Sequence, residues 1–138
     1  MNRVLLFLVL VLALAGCRGG SGGEEGAVTI VSANTDIVFS EYEHDFGPVA
    51  AGEKVSYTFT FENKGPDDLI IASANTTCGC TVPRFDSRPV KAGEKGNLEV
   101  VFDTSGRQGK QSKTVSVHSN AKVPVVLLKI TADVISSK

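Results

Sequence analysis

The sequence predicts an all-β protein built as an antiparallel β-sandwich, and two observations support this fold class. Apolar and polar residues alternate over most of the chain, as in the run where Val55, Tyr57, Phe59 and Phe61 are separated by polar residues. Such alternation is typical of strands with one face in a core and the other in water. Turn-forming residues separate these runs at short intervals, which favours a sandwich.

The predicted strands follow one another along nearly the whole chain after residue 27, and no stretch shows a helical period. Four longer strands have clear alternation, at residues 55–62, 97–102, 114–118 and 126–134. Four shorter strands are expected at residues 28–32, 36–40, 68–74 and 80–82. Turn signals lie between them, at residues 63–68, at Pro89, at residues 105–109 and at residues 119–120.

One tetrapeptide, Ala-Gly-Glu-Lys, occurs twice. It occupies residues 51–54 and residues 92–95, and each copy precedes one of the longer strands. Glycine readily supplies the unusual backbone dihedrals of a tight turn. The two copies are therefore expected to form the same turn at the start of corresponding strands.

The N-terminus predicts export from the cytoplasm. Arg3 precedes an uninterrupted apolar run over residues 4–15, which is too short to span a bilayer. A basic start, a short apolar run and then small residues are typical of a signal peptide. We therefore expect three regions: a signal peptide at residues 1–16, a leading segment at residues 17–35 and a folded domain at residues 36–138.

The end of the signal peptide resembles a bacterial lipobox. Residues 14–17 read Leu-Ala-Gly-Cys. The resemblance implies that Cys17 is lipidated and that the chain is cut before it. Several acyl chains on one residue would anchor the protein to a membrane. The Gly-, Ser- and Glu-rich stretch after Cys17 is expected to be a flexible tether. Arg18 stands where inner-membrane retention in enteric bacteria uses aspartate, so we expect the outer membrane.

Charge and composition argue against several functions. Removal of residues 1–16 takes away only Arg3 and leaves 13 Lys and Arg against 15 Asp and Glu. A near-neutral chain of this kind offers no basic patch for nucleic acid. The sequence has no Trp and few aromatic residues other than Phe, which disfavours a ligand site built on stacked rings. No small-molecule substrate and no cofactor are predicted.

An ordered set of motifs resembles the bacterial DUF1573 family, a family of domains of unknown function that carry a CGCT signature. The set covers about residues 36–135 and comprises His44-Asp45-Phe46-Gly47, Gly52, Phe59-Thr60-Phe61-Glu62-Asn63, Gly65, Cys78-Gly79-Cys80-Thr81, Pro83, Gly93, Val101-Phe102-Asp103, Arg107, Gly109 and Ser119-Asn120. The pattern is also similar to the immunoglobulin-like domains of Hydin and related ciliary and centrosomal proteins. The resemblance implies an immunoglobulin-like sandwich of seven or eight strands, often exported and lipid-anchored, and no established activity.

The motif at residues 44–47 has two interpretations. As scaffold, Phe46 would fill the end of the sandwich, Gly47 would turn the chain and Asp45 would bind nearby amides. As chemistry, His44 and Asp45 would be half of a catalytic pair and would need a nucleophile within reach. We favour the scaffold.

The pair Cys78 and Cys80 leaves several possibilities open. Residues two apart in a strand share a face, so both thiols would point the same way, and Gly79 would let the backbone contract. The pair could form a disulfide in the oxidising envelope; its tiny loop would stabilise little and could be reducible. Two thiolates also suit Cu(I), whereas zinc would need further ligands such as His44 and His118. Finally, the two residues could simply be small thiols packed beneath a turn.

These observations predict a non-enzymatic, lipid-anchored module of the cell envelope that acts through protein–protein contacts, for example by accepting a strand at an exposed sheet edge. No serine lies in a recognisable nucleophile turn, and the chain has two histidines. The alternative is an envelope thiol protein that binds Cu(I) or exchanges thiols and disulfides at Cys78 and Cys80.

Overall fold

A computed structural model describes residues 33–136. The signal peptide, Cys17, the tether and the strand expected at residues 28–32 lie outside the described residues. The described part consists of eight strands: β1 (Ile37–Phe39), β2 (Glu43–Ala50), β3 (Lys54–Asn63), β4 (Ile71–Thr76), β5 (Thr81–Phe85), β6 (Lys95–Asp103), β7 (Gly109–Ser119) and β8 (Val125–Ile135). Within residues 33–136 no helix is long and apolar enough to cross a membrane.

The strands form two four-stranded sheets that pack face to face. The order is β1-β3-β6-β5 in the first sheet and β2-β8-β7-β4 in the second. All neighbours are antiparallel except β2 and β8, which run parallel. The chain changes sheets between β1 and β2, where the amide of Lys129 donates to the carbonyl of Tyr42 at 2.8 Å as β2 joins β8.

The alternating residues form the core, as the sequence predicts. Apolar side chains that point inward from both sheets are buried, and among the largest are Phe59, Phe102, Leu98, Leu128 and Ile130. The strands predicted at residues 55–62, 97–102, 114–118 and 126–134 all lie within observed strands. The shorter predicted strands at residues 36–40, 68–74 and 80–82 correspond to β1, β4 and β5, with ends displaced by one to three residues.

Strand β2 was not expected from the sequence. Residues 44–47 lie within this edge strand rather than at a turn that closes the sandwich. Gly47 has a φ of 67°, and the register with β8 shifts between Asp45 and Pro48. This is a β-bulge, in which one strand bends around an extra residue. Gly47 therefore bends the strand without ending it.

Both Ala-Gly-Glu-Lys segments form the same turn. Gly52 and Gly93 have φ values of 91° and 77°. The amide of Glu53 donates to the carbonyl of Ala50 at 3.2 Å, and that of Glu94 to the carbonyl of Lys91 at 3.0 Å. The first turn leads into β3 and the second into β6, two adjacent antiparallel strands. The two turns therefore lie at opposite ends of the sandwich.

The two ends carry different features. We call them the Asn63 end and the C-G-C end. We call the turns of the two Ala-Gly-Glu-Lys segments the first and second Gly-Glu turns. At the Asn63 end lie the last residue of β3, the second Gly-Glu turn and Ala33, whose amide donates to the carbonyl of Asn120 between β7 and β8. At the C-G-C end lie the first Gly-Glu turn, the β6–β7 loop and the C-G-C turn, residues 77–80, which connects β4 of one sheet to β5 of the other.

Candidate functional site

Cys78 and Cys80 form a disulfide within the C-G-C turn. Their Cα atoms are 5.3 Å apart, whereas two residues apart in an extended strand are separated by about 6.6 Å. The turn is thus contracted, as the sequence allowed. It precedes β5 rather than lying in a strand, so the shared direction of the two sulfurs comes from the turn and the bond.

Gly79 does not have the role expected of it. Its φ lies outside the left-handed range, and a Cβ built on it would meet nothing within 4 Å. Gly79 is exposed. The contraction of the turn therefore does not depend on a backbone conformation that only glycine adopts.

Two threonines hold the C-G-C turn to the strands on either side. The hydroxyl of Thr76, the last residue of β4, lies 2.9 Å from the carbonyl oxygen of Cys78 and 3.0 Å from that of Thr81. Thr81 is buried, and its hydroxyl lies 3.8 Å from each sulfur. Farther along the turn, the amide of Asp103 donates to the carbonyl of Cys80 at 2.8 Å. The turn is thereby joined to β4, β5 and β6.

His44 packs against aromatic rings, and the cysteines that a catalytic interpretation would need as nucleophiles are joined in a disulfide. The His44 ring stacks on Tyr57 at 3.6 Å between ring centroids and meets Phe46 edge-on at 4.8 Å. His44 is opposite buried Ile130 in the register, so it faces between the sheets. Its neighbour Asp45 faces the other way, as adjacent strand residues do. This arrangement supports the scaffold interpretation, and Phe46 is one of the partly buried residues that pack against the core.

Asp45 binds backbone, as the scaffold interpretation expects. The amide of Gly47 donates to its carboxylate at 3.0 Å. This hydrogen bond, with further help from Thr131, lowers the pKa of Asp45 below its ordinary value. A carboxylate that accepts amide hydrogen bonds is favoured in its charged form. Asp45 therefore caps the β-bulge from within the strand.

The structure does not bring together the ligands that zinc would need. Among residues 33–136, no three side chains of His, Cys, Asp and Glu converge as a metal site requires. His44 is engaged with Tyr57, and half-buried His118 lies in β7 opposite Val125. Neither histidine joins Cys78 and Cys80 in such a cluster. The zinc interpretation therefore stays a prediction, with no supporting ligand cluster among residues 33–136.

Asn63, which the sequence pattern places in a turn, is a buried polar centre. Its side-chain amide donates to the carbonyls of Asp67 at 2.7 Å and Val90 at 2.9 Å. Its side-chain oxygen accepts from the amide of Gly65 at 2.9 Å and from the hydroxyl of Thr35. Asn63 and Thr35 are fully buried. The available signal was the Phe-x-Phe-x-Asn-x-Gly pattern at residues 59–65, which contains both Asn63 and Gly65.

The edge strands are a second candidate site, because a partner strand can add only where a sheet is open. Within residues 33–136, three of the four edges are protected. β1 has three residues, β2 contains a bulge and Pro48, and β5 contains Pro83. Short length, bulges and proline are recognised ways to block strand addition. The fourth edge strand, β4, has the sequence Ile-Ala-Ser-Ala-Asn-Thr and contains neither proline nor charge. Its register with β7 shifts between Ile71 and Ser73, so the regular open edge is residues 73–76.

The register shows which groups β4 presents to solvent. The amide of Ser119 at the end of β7 donates to the carbonyl of Pro124, just before β8. Main-chain groups alternate sides along a strand, so those of Ser116, three residues earlier, face β4, where Ser116 pairs with Asn75. The main-chain groups of Ala74 and Thr76 therefore point away from β7. In residues 33–136, no strand pairs with this outer side of β4. The C-G-C turn begins immediately after Thr76, so the disulfide and the open edge are adjacent.

Comparisons with known proteins agree with the observed fold and with the predicted lipoprotein signal peptide. A family described as "Protein of unknown function (DUF1573)" matches residues 37–134. Residues 1–17 match the prokaryotic membrane lipoprotein lipid attachment site. This match supports the expectation of a lipid-anchored protein of the cell envelope. No curated protein matches the sequence.

Several solved structures share the fold. A protein of unknown function from Porphyromonas gingivalis W83 aligns with a TM-score of 0.65 and 20% identity over 75% of this chain and 49% of its own. The ASH/PapD-like domain 7 of human CEP192 aligns with a TM-score of 0.57 and 11% identity over 83% and 94%. The secreted serine protease VesC from Vibrio cholerae aligns with a TM-score of 0.57 and 14% identity over 74% and 24%.

These alignments establish an immunoglobulin-like, PapD-like sandwich. The chain spans about half the length of the Porphyromonas gingivalis protein and about a quarter of that of VesC. At identities of 20% and below, the likeness extends to the fold alone.

Proposed function

Because the chain belongs to the DUF1573 family and has a lipoprotein attachment site, we propose that it is a non-enzymatic, lipid-anchored module that binds a partner protein of the cell envelope. The observation that carries this proposal is the open edge of β4. A strand added there would bond to main-chain groups of Ala74 and Thr76, which have no strand partner within residues 33–136. Strand addition to a sheet edge is a general mode of peptide recognition.

The composition of β4 indicates the kind of segment it would accept. The strand is uncharged, and Ala72 and Asn75 are exposed. Main-chain hydrogen bonds would supply affinity, and the small side chains leave space beside the edge. The partner segment is therefore an extended, uncharged stretch about four residues long, which matches the regular part of β4 at residues 73–76.

Photo-cross-linking in cells tests this interaction. A benzophenone amino acid at Asn75 should cross-link one envelope protein, because Asn75 is exposed on β4. Two matched control positions are exposed as well: Thr114 on the outer face of β7, and Arg84 on β5 beside Pro83. Both should give little product. Equal labelling from all three positions, or none from Asn75, would contradict the proposal.

A second variant separates edge pairing from simple proximity. Ala74→Pro removes an outward-facing amide and leaves the bonds between β4 and β7 in place. It should abolish the Asn75 cross-link while the domain stays folded, as judged by its melting temperature. If Ala74→Pro is destabilised, Ala72→Lys places a charge on the same edge and should have the same effect. A cross-link that survives in the folded variant would exclude strand addition.

Thiol–disulfide exchange is a second candidate, and the disulfide itself favours it over copper binding. An envelope dithiol would attack one sulfur as its thiolate, pass through a mixed disulfide and leave as a disulfide. Cys78 and Cys80 would take up the two electrons and two protons as thiols. Cu(I) binding would need this reduced form. The alkylated mass of the protein across a series of dithiol redox buffers tests exchange; a bond that stays oxidised throughout would contradict it.

The outer membrane is the proposed location, because Arg18 follows Cys17 where aspartate would favour retention in the inner membrane. Separation of the two membranes by density gradient, with Arg18→Asp as the comparison, tests this. The natural chain should band with the outer membrane and the variant should move inward. Co-migration of both with the inner membrane would refute the assignment.

A further inference from the structure

The disulfide lies where it can influence the open edge. Four residues connect Thr76 at the end of β4 with Thr81 at the start of β5. The Thr76 hydroxyl lies within hydrogen-bond distance of two carbonyls, that of Cys78 inside the disulfide loop and that of Thr81 directly after it. The same residue, Thr76, presents main-chain groups at the outer edge of β4. One side chain therefore joins the disulfide-closed turn to the edge.

Opening the disulfide would remove the constraint that keeps this turn contracted. The Cα atoms of Cys78 and Cys80 lie 5.3 Å apart, and without the bond the segment can extend towards about 6.6 Å. The amide of Thr81 also donates to the carbonyl of Cys78, at 3.4 Å. Extension would separate the acceptors that Thr76 uses. The last residues of β4 would then have fewer bonds that hold them in place.

The sulfurs lie where a reductant could approach. Cys78 and Cys80 are half-buried, and Gly79 between them is exposed with open space around it. The C-G-C turn lies at the end of the sandwich opposite Ala33, where the described chain begins. The turn therefore faces away from the point at which the leading segment joins the domain.

We propose that the redox state of Cys78 and Cys80 sets the order of the β4 edge and thereby its capacity to accept a strand; this second part rests on the proposed function. An envelope dithiol reduces the bond by exchange and becomes a disulfide, while Cys78 and Cys80 become two thiols. The oxidised form has a pre-organised edge. The reduced form must order β4 during binding, and ordering even one residue weakens binding by about tenfold.

Hydrogen exchange on the mature lipoprotein in detergent micelles tests the inference without a partner. In the dithiothreitol-reduced protein, peptides covering residues 71–76 should exchange at least about threefold faster than in the oxidised protein. Peptides from β8 should not change. The double variant Cys78→Ser/Cys80→Ser should exchange as the reduced form does and ignore dithiothreitol. Equal exchange of residues 71–76 in both states would overturn the inference.

A variant that keeps the disulfide tests whether the Thr76 hydroxyl couples the C-G-C turn to β4. Thr76→Val removes the hydroxyl and leaves the disulfide, so it should speed exchange of β4 under oxidising conditions. If Thr76→Val exchanges like the natural oxidised protein, the hydroxyl does not couple the turn to the edge, and that outcome counts against the proposal.

The yield of the Asn75 cross-link distinguishes a failure of redox control from a failure of the proposed function. We expect its yield to fall by about tenfold on reduction. A yield that is high and equal in both states refutes redox control and leaves strand addition intact. No cross-link in either state, together with faster exchange on reduction, refutes the partner and leaves the redox control of β4 order intact.

Discussion

The two ends of the sandwich carry the same Gly-Glu turn, yet they hold it differently. At the Asn63 end, the main chain of Asn63 accepts from the amide of Gly93 at 2.8 Å and donates to the carbonyl of Glu94 at 3.0 Å. The buried side chain of Asn63 makes four further hydrogen bonds. One residue therefore connects this turn to several loops.

At the C-G-C end, Thr104 performs the corresponding task with fewer bonds. Its hydroxyl lies 3.0 Å from the carbonyl of Ala50 and 2.8 Å from that of Glu53, and its amide also donates to Glu53. The neighbouring C-G-C turn is held by a three-residue disulfide loop. The comparison indicates that the Asn63 end carries more of the stability. Under the proposed redox control, the C-G-C end would then change its covalent state without unfolding the domain.

Replacing a glycine by alanine at each end should reveal the difference in stability between the two ends most clearly. In Gly65→Ala, the new Cβ would collide with the Cα of Thr35 and would lie 2.8 Å from the carbonyl oxygen of Asn34. Backbone would have to move, so we expect a loss of more than about 3 kcal/mol in unfolding free energy. Gly79→Ala at the other end meets open space and should change it by less than about 0.5 kcal/mol. Urea titration measures both, and similar losses would contradict the asymmetry.

Removal of the buried side-chain amide of Asn63 should cause the next largest loss of unfolding free energy. Asn63→Ala leaves the carbonyls of Asp67 and Val90 and the amide of Gly65 without these partners. Each buried unsatisfied group costs about 1–3 kcal/mol, so we expect a loss of about 3 kcal/mol in unfolding free energy. Asn97→Ala is the matched control, because exposed Asn97 bonds only to the hydroxyl of Thr60 among side chains. Thermal unfolding that ranks the two variants equally would refute the role of Asn63.

A milder substitution at the C-G-C end tests the hydrogen bonds of Thr104, which are fewer than those of Asn63. Thr104→Val keeps the shape of a fully buried side chain and removes the hydroxyl that reaches Ala50 and Glu53. We expect a loss of about 2 kcal/mol, smaller than that for Asn63→Ala. Ser105→Ala, at the exposed next position, is the control. If Thr104→Val costs more than Asn63→Ala in the same urea titration, the ranking of the two ends is reversed.

The long strands were predictable because each has one face in the core, and burial imposes a period of two. Strand β2 was not, for a physical reason. It is an edge strand with one fully buried residue, Val49, and its bulge at Gly47 breaks the alternation. The alternation of apolar and polar residues reflects burial of one strand face, so a strand that buries few side chains shows only a weak alternation.

The candidate site was predictable only in part. The spacing of Cys78 and Cys80 identified the pair, but disulfide, thiols and metal remained open, because the choice depends on the turn geometry. The open edge of β4 could not be read at all. Sheet order is set by pairing between residues far apart in the chain, such as Asn75 with Ser116, and a single sequence does not display it.

Among the interactions that hold the two ends, the disulfide is expected to contribute least to stability, and this separates its role from that of Asn63. Loss of a cross-link that closes three residues frees little chain entropy, at most about 1.6 kcal/mol. Cys78→Ser/Cys80→Ser should therefore unfold at nearly the urea concentration of the natural chain, and reduction by dithiothreitol should do the same. A structural staple would instead lower the transition midpoint as strongly as Asn63→Ala does. If the double variant loses about 3 kcal/mol, the C-G-C end is as essential to folding as the Asn63 end, and its disulfide could not open and close in a folded protein.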